Sequence, residues 1–395
     1  MSGQEGVSSE ERLITRPFVA LGAATLAFFV AGGIVLPIAP VFARQELHAD
    51  SLGVGVAIAS FSIAALVMRP IVGWASDRFG RRPLLVGGSL LNVAALLLHL
   101  AATDLPLFIA ARSLLGIAEG FYLVAAIAAG SDLAPPSRRG EAISFLTLSL
   151  YLGVATGPPI GEAVIGQASY PGVWLAAAFV AVVAVVLSWI TPETVPDTDP
   201  DEPRRRRLIH PAGLFPGLII LLGLWGMAGF LTFLPLYARQ IGLGGAGAPL
   251  ALYALIVVAL RVVGARIPDR YGAIRVSGGA LALSAVGLTL IGLVPTAIGL
   301  IVGTCVFAAG VAFTMPALLT MTVARVPPAE RGTVVGTTTV FLDLAFGLAP
   351  VGLGSIADRA GYGTTFLVSA VLAAAASVLL VAWGRSRASV PALGT

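Results

Sequence analysis

The sequence predicts an all-α integral membrane protein with twelve transmembrane helices in two six-helix bundles. Three observations lead to this fold class. Of the 395 residues, 57% are hydrophobic and only 11% are charged, whereas about 25% are charged in a typical soluble domain. Long apolar segments recur along the whole chain, and its two halves match each other when they are aligned. A water-soluble fold of this size could not bury that much apolar surface, so lipid must surround most of the chain.

Twelve apolar segments are long enough to cross a bilayer, which takes about 20 residues per helix. Charged residues or Pro/Gly turns bound them. The predicted spans are 17–42, 51–75, 84–102, 106–130, 142–165, 172–190, 211–237, 249–267, 275–294, 297–323, 333–356 and 364–383. The chain then divides into a cytoplasmic tail (1–16), a first bundle (17–190), a charged, Pro-rich linker (191–210), a second bundle (211–384) and a second cytoplasmic tail (385–395).

The arginines indicate the orientation of these spans. All 24 basic residues are Arg, and 18 of them lie in segments on the same side of the membrane as the N-terminus. Only Arg44, Arg239 and Arg359 lie in segments on the opposite side, and the remaining three lie within predicted spans. Because Arg-rich loops stay in the cytoplasm, we expect both termini inside and the protein in the inner (plasma) membrane.

A shift of 192 residues superposes the two halves without a gap. The matching residues lie at corresponding turns and spans, namely Arg69 with Arg261, Asp77 with Asp269, Gly80 with Gly272, and Pro158 with Pro350. Two parallel six-helix repeats are typical of transporters in which two bundles rock around a central site.

The turn between spans 2 and 3 reads Gly-Trp-Ala-Ser-Asp-Arg-Phe-Gly-Arg-Arg over residues 73–82. It resembles the signature loop of the major facilitator superfamily (MFS), and the whole chain fits the twelve-helix plan of that family. Small residues permit close helix contact and glycine permits tight turns. The resemblance implies a conformational switch in which Asp77 docks at span 11 in the outward-open state and Arg81 is linked to an acid at the end of span 4. The expected switch residues are Gly73, Asp77, Arg78, Gly80, Arg81 and Asp132.

Two further motifs resemble those of the drug/proton antiporter branch. Span 4 carries Arg112-Ser-Leu-Leu-Gly-Ile-Ala-Glu119, similar to a family motif whose buried Arg is tied to proton coupling, although Glu119 stands where a small residue is common. Span 5 contains the antiporter-motif residues Gly153, Gly157, Pro158 and Gly161. This second motif favours efflux, but Gly/Pro-rich spans also occur in importers.

Two carboxylates are predicted near the middle of the bilayer. Glu119 and Asp343 lie roughly 20 Å and 15 Å into spans 4 and 11 at 1.5 Å per residue. A carboxylate in a low-dielectric setting can hold a proton near neutral pH, and a nearby Arg or a cationic substrate can expel it. We therefore expect Glu119, Asp343 and Arg112, which lies on the same helix face as Glu119, to couple protons to transport.

Spans 1, 4 and 7 also carry aromatic residues. Phe29, Tyr122, Trp225 and Phe233 could form a wall for an amphipathic substrate, although lipid-facing aromatics are equally ordinary. The three histidines are scattered and do not suggest a zinc site, and no nucleotide loop or nucleophile–base pair is visible. We therefore predict no metal, no enzymatic activity and no cofactor besides the proton gradient.

The predicted function is proton-coupled efflux of a small organic compound by rocker-switch alternating access. The expected partners are this compound, protons and the lipid bilayer, without nucleic acid, and the carrier is expected to be monomeric. An importer or facilitator of sugars or metabolites is the alternative within the same class. A non-transporting membrane receptor or scaffold is the alternative from another class, which long loops or soluble extensions would favour.

Overall fold

The computed structural model describes residues 13–135, 138–194, 209–264, 267–323, 326–327 and 330–388. Within these ranges the chain is almost entirely α-helical, without a β-strand. Most of the predicted linker, most of the N-terminal tail and the end of the C-terminal tail lie outside the described residues.

Helices cover the described chain in the order that the apolar segments predict. The first half contains α1 (Arg16–Val35), α2 (Ile38–Gln45), α3 (Ser51–Phe79), α4 (Arg82–Leu98), a 3₁₀ turn (His99–Ala101), α5 (Leu105–Asp132), α6 (Arg139–Gln167) and α7 (Tyr170–Ile190). The second half contains α8 (Pro211–Gln240), α9 (Gly247–Val263), α10 (Ile267–Tyr271), α11 (Ala273–Leu293), α12 (Ala297–Val323) and α13 (Arg331–Ala388).

Among the described residues, ten helical segments are long and apolar enough to cross a membrane. One of them, Thr333–Ser386, is 54 residues long and covers the two predicted spans 333–356 and 364–383. The apolar helix α9 has 17 residues and falls short of a full span. The all-α membrane architecture is therefore confirmed, whereas the number of twelve spans and the cytoplasmic location of both termini stay predictions.

The long helical stretches are broken near Pro37 and at Gly361. The predicted span 17–42 is interrupted between α1 and α2, where Pro37 precedes the second helix. Proline has no backbone N–H and restricts the residue before it, which explains the break. The last two predicted spans meet at Gly361, whose φ of 78° and ψ of 166° are not helical. A glycine adopts this conformation without the steric cost that a side chain would add.

Local signals explain several helix starts. Asp104 precedes α5, and its carboxylate accepts a hydrogen bond from the backbone N–H of Leu107 at 2.8 Å. Such a cap satisfies one of the N–H groups that a helix start leaves without a partner. Gly80 and Gly272 precede α4 and α11, and have left-handed φ values of 87° and 88°. These two glycines correspond in the 192-residue repeat.

The helices divide into two compact units. The first unit holds Met1–Val35 and Ala64–Glu202, and the second holds Leu36–Ile63 and Pro203–Thr395. This division differs from the predicted bundles, since residues 36–63 belong to the second unit. Helix α3 is therefore shared between the two units.

Each unit has its own apolar core. In the first unit, α1 packs against α6 and α7, and α4 packs against α5 and α7. The ring of Tyr122 on α5 stacks on Phe28 of α1 at a centroid distance of 4.1 Å. In the second unit, α8, α11 and α12 pack with α13 around buried residues such as Leu224, Leu281 and Leu380. Lipid tails are as apolar as these side chains, so close packing rather than exclusion of water holds membrane helices together.

Candidate functional site

The signature turn of the first unit is organised around the buried Arg81. Only 7% of its side chain is exposed, and its Nε lies 3.1 Å from Oδ2 of Asp132 at the end of α5. The Nη1 of Arg81 donates to the backbone oxygen of Ser76 and to its hydroxyl. One guanidinium thus joins the end of α3, the start of α4 and the end of α5. The geometry pairs Arg81 with Asp132, and a role for this pair in switching remains a prediction.

Glu193 also belongs to this cluster, and the sequence reasoning missed it. Its Oε1 accepts hydrogen bonds from the backbone N–H groups of Arg81 at 2.7 Å and Arg82 at 3.3 Å. A side chain at Gly80 would collide with the Glu193 carboxylate. Negative charge at a helix start is favourable, so Glu193 anchors the segment after α7 to the start of α4. An acid directly after a span and before a charged linker could have indicated this role.

The other residues predicted to form the switch lie in different surroundings. The side chain of Asp77 lies outside the described residues. The guanidinium of Arg78 lies over the exposed ring of Trp74, 5.5 Å from its centroid. A Cβ at Gly73 would meet nothing within 4 Å, so its predicted part in the switch stays a prediction. Gly73 faces open space in this structure, so close helix contact does not explain it.

Replacing Arg81 with Gln is expected to destabilise the protein, because it removes the partner of Asp132 and breaks contacts among three elements. Breaking a buried, hydrogen-bonded pair is expected to lower the free energy of unfolding by about 2–3 kcal/mol. Thermal melting followed by circular dichroism measures the change. Arg138→Gln is the matched control, because its pair with Glu141 is largely exposed and exposed pairs contribute little. Equal melting of the two variants would contradict a structural role of the Arg81 cluster.

The antiporter-motif glycines form the contact between α6 and α1. A Cβ on Gly157 would lie 2.6 Å from the backbone nitrogen of Ile34 and closer still to the backbone of Gly33. A Cβ on Gly153 would lie 2.7 Å from Cβ of Phe29. The backbone oxygen of Ile34 leaves no room for a side chain at Gly161. The glycines at every fourth position thus allow two backbones to meet.

Prolines follow the second of these glycines within the same helix. Pro158 and Pro159 lie inside α6, where each removes a backbone hydrogen bond and favours a kink. Close packing against α1 therefore occurs next to the prolines, where α6 lacks backbone hydrogen bonds.

The predicted proton-coupling residues lie on helices of both units. In the first unit, Arg112 is only 6% exposed on α5, and Glu119 lies two turns further along the same helix and is partly buried. In the second unit, Asp343 is 8% exposed on α13. Charged groups at such depth are costly, and are usually functional.

The four aromatic residues predicted to line a cavity are divided between the two units. Tyr122 is fully buried in the first core, and its hydroxyl lies 3.4 Å from Oγ1 of Thr25. Phe233 is fully buried in the second unit, where its ring stacks with Tyr362. Both rings pack against neighbouring helices in this structure, and a role in substrate binding stays a prediction. Phe29 is 9% exposed, and Trp225 is partly buried against Gly352.

Comparison with known proteins identifies the family to which the whole chain is similar. A family model described as Major Facilitator Superfamily matches residues 21–350 and 246–393. An uncharacterized MFS-type transporter of Salmonella typhimurium is 30% identical over 366 residues, which cover 89% of this chain and 92% of the relative. A second uncharacterized MFS-type transporter, from Burkholderia mallei, is 30% identical over 375 residues, which cover 92% of this chain and 91% of the relative.

Solved structures are similar in fold at low sequence identity. A peptide-bound POT family transporter has a TM-score of 0.80 and 12% identity, with 94% of this chain and 96% of the other covered. The human organic anion transporter MFSD10 has a TM-score of 0.69 and 20% identity, with 92% and 99% covered. The nucleoside transporter NupG has a TM-score of 0.78 and 14% identity, with 93% and 99% covered.

Proposed function

The chain belongs to the major facilitator superfamily, and from this membership we propose that it exports a small organic compound in exchange for protons. Members of the family are membrane transporters and not enzymes, so transport itself is established by the family. The proposal concerns the coupling ion, the direction and the residues that couple them. The inner membrane is the proposed location, in keeping with the bacterial relatives.

Glu119 is the residue that carries the proposal. It is a carboxylate within an apolar helix, two helical turns from the buried guanidinium of Arg112. Burial disfavours the charged carboxylate, whereas a cationic substrate bound beside it favours it. A carboxylate under both influences can change its protonation when a substrate arrives. Competition between a proton and a substrate for one carboxylate is the minimum requirement for antiport.

The proposed cycle begins with substrate entering from the cytoplasm. Its binding displaces a proton from Glu119 or Asp343, and the two repeats rock to expose the substrate to the outside. Release of the substrate and reprotonation then reset the carrier. Asp77, Arg81 and Asp132 bias the equilibrium between the two conformations.

The contact between α6 and α1 supports the outward direction of transport. Its glycines and Pro158 resemble the motif of the exporters in the drug/proton antiporter branch, and the close backbone contact requires these small residues. The substrate class is not selected by the fold, since proteins of similar fold carry organic anions and nucleosides.

Transport in proteoliposomes tests the proposal. The purified protein is reconstituted with the pH dye pyranine inside, and a pH gradient is imposed across the membrane. A panel of amphipathic compounds, including ethidium, is then added. We expect at least one compound to accumulate against its own gradient while protons move in the opposite direction.

The alternatives give other outcomes in the same assay. A facilitator would equilibrate a compound without accumulation, and an importer coupled by symport would move the compound and protons in the same direction. A receptor or scaffold would bind without moving any compound. Each of these results would overturn proton-coupled export.

A further inference from the structure

The first turn of α3 is held by a carboxylate from a distant helix. Oδ1 of Asp358, on α13, accepts a hydrogen bond from the backbone N–H of Ser51 at 2.7 Å, and Oδ2 accepts one from Leu52 at 2.9 Å. The hydroxyl of Ser51 also lies 3.4 Å from the hydroxyl of Tyr362. Both oxygens of one carboxylate are therefore used to hold a helix start 306 residues away in the chain.

The backbones of the same two helices approach closely beside this contact. A Cβ on Gly354 would lie 2.9 Å from the carbonyl carbon of Ser51, and a Cβ on Gly55 would lie 2.7 Å from that of Pro350. These residues all belong to the second unit, which includes residues Leu36–Ile63 of the first half. The carboxylate thus lies at a tight contact between the two sequence repeats.

The start of α3 has a cap of its own, so Asp358 is not needed to begin the helix. Asp50 accepts a hydrogen bond from the N–H of Gly53 at 2.7 Å. The Nη1 of Arg44 donates to the backbone oxygen of Ala49 at 2.8 Å, which places a cation in the loop before α3. The two bonds to Asp358 therefore add a connection between repeats, and charge-assisted bonds of this kind are among the stronger ones.

The repeat does not duplicate this contact. The 192-residue shift places Gly166 opposite Asp358 and Leu243 opposite Ser51. Helix α9 in the second repeat begins at Gly247, and Ala246 before it provides no side-chain cap. The contact made by Asp358 therefore has no counterpart at the corresponding position of the other repeat. A substitution of Asp358 alone removes this carboxylate.

We propose that Asp358 and the N–H groups of Ser51 and Leu52 form an outer latch that holds the extracellular ends of the two repeats together. The arginine distribution assigns the loop before α3 and the turn at Gly361 to the extracellular side. The latch must open each time the substrate leaves the protein outward. This inference rests on the proposed function only in requiring alternating access, and it names neither the substrate nor the coupling ion.

Distance measurements between spin labels test the latch without any transport assay. Labels are attached at Glu46→Cys and Thr296→Cys in a Cys305→Ser background, because both label positions are exposed. Asp358→Asn keeps the size of the side chain and removes its charge. We expect the ratio of long-distance to short-distance populations to rise about ten-fold, which corresponds to about 1.4 kcal/mol. Asp50→Asn is the matched control, since it makes the same change of charge at a cap on the same helix within the first repeat.

Two results of this experiment would overturn the latch. One is an unchanged distance distribution in Asp358→Asn, and the other is an equal shift in Asp50→Asn, which would indicate a local effect on the helix start. Either result would leave proton-coupled export standing. Conversely, a protein that transports no protons could still show the expected change in the spin-label distances of Asp358→Asn.

A disulfide across the contact tests the latch independently of the stability of Asp358→Asn. The pair Ser51→Cys and Asp358→Cys is made in the Cys305→Ser background. After oxidation, transport in proteoliposomes is expected to fall to the background of empty liposomes, and reduction is expected to restore it. Full transport by the oxidised, cross-linked protein would show that the contact need not open and would refute the latch.

Discussion

Replacing Glu119 with Gln is expected to abolish accumulation driven by a pH gradient, down to the level of empty liposomes. Glutamine keeps the size and the hydrogen-bonding capacity of the side chain but cannot bind and release a proton. Exchange of substrate down its own gradient should persist, because the helix and its packing are unchanged. Uptake with and without an imposed pH gradient in the same liposomes separates the two activities. Loss of both would indicate a damaged protein rather than lost coupling.

Two companion variants decide between the acidic residues. Glu162→Gln is the matched control, since Glu162 is a partly buried carboxylate near the predicted outer end of α6, and it is expected to keep coupling. Asp343→Asn removes the second candidate carboxylate in the other unit. If Glu119→Gln accumulated substrate normally and Asp343→Asn did not, the proton site would be Asp343. Normal accumulation in both variants would refute the proposed coupling residues.

Replacing Gly157 with Ala is expected to cause a large loss of stability. The added Cβ would lie 2.6 Å from the Ile34 nitrogen and nearer to the backbone of Gly33, and backbone atoms cannot rotate away as a side chain can. Helices α1 and α6 would have to separate. We expect a loss of about 3 kcal/mol, at the upper end of ordinary overpacking costs. Thermal denaturation followed by circular dichroism measures this loss.

Gly166→Ala is the matched control for this prediction. It lies in the same helix, and a Cβ there would meet nothing within 4 Å. Alanine favours helix over glycine by about 0.5–1 kcal/mol, so this variant is expected to melt at or slightly above the temperature of the parent. Parent-like melting of Gly157→Ala would mean that α1 and α6 do not approach as closely as described.

The helical segments could be predicted because each depends on its own composition. A stretch of about 20 apolar residues meets the requirement for a membrane helix regardless of what lies beside it. The break at Pro37 was not predicted, whereas the break at Gly361 lies in the predicted connection between the last two spans. Both residues break helices often, but whether a break becomes a loop, a kink or a short gap depends on the neighbouring helices.

The sequence predicted the parts of the candidate site whose residues lie close together along the chain. The turn with Gly80 and Arg81 and the glycines of α6 were visible as short patterns, and the structure describes both. The hydrogen-bond partners of these motif residues were harder to predict, because Glu193 lies 112 residues from Arg81 in the sequence. The burial of Tyr122 and Phe233 also could not be derived, because a helix that is apolar on all sides gives no periodic sign of which face meets protein.

Hydrophobicity along the chain alone determined that this is a multi-pass helical membrane protein, and the 192-residue repeat indicated its internal duplication. These properties follow from local transfer of apolar residues into lipid and from matching residues at a constant spacing. Only the tertiary structure decided which helix backbones touch at Gly157 and Gly354, and which distant carboxylate holds the start of α3. Such contacts depend on the shapes of two surfaces at once, and no single segment of the sequence contains both.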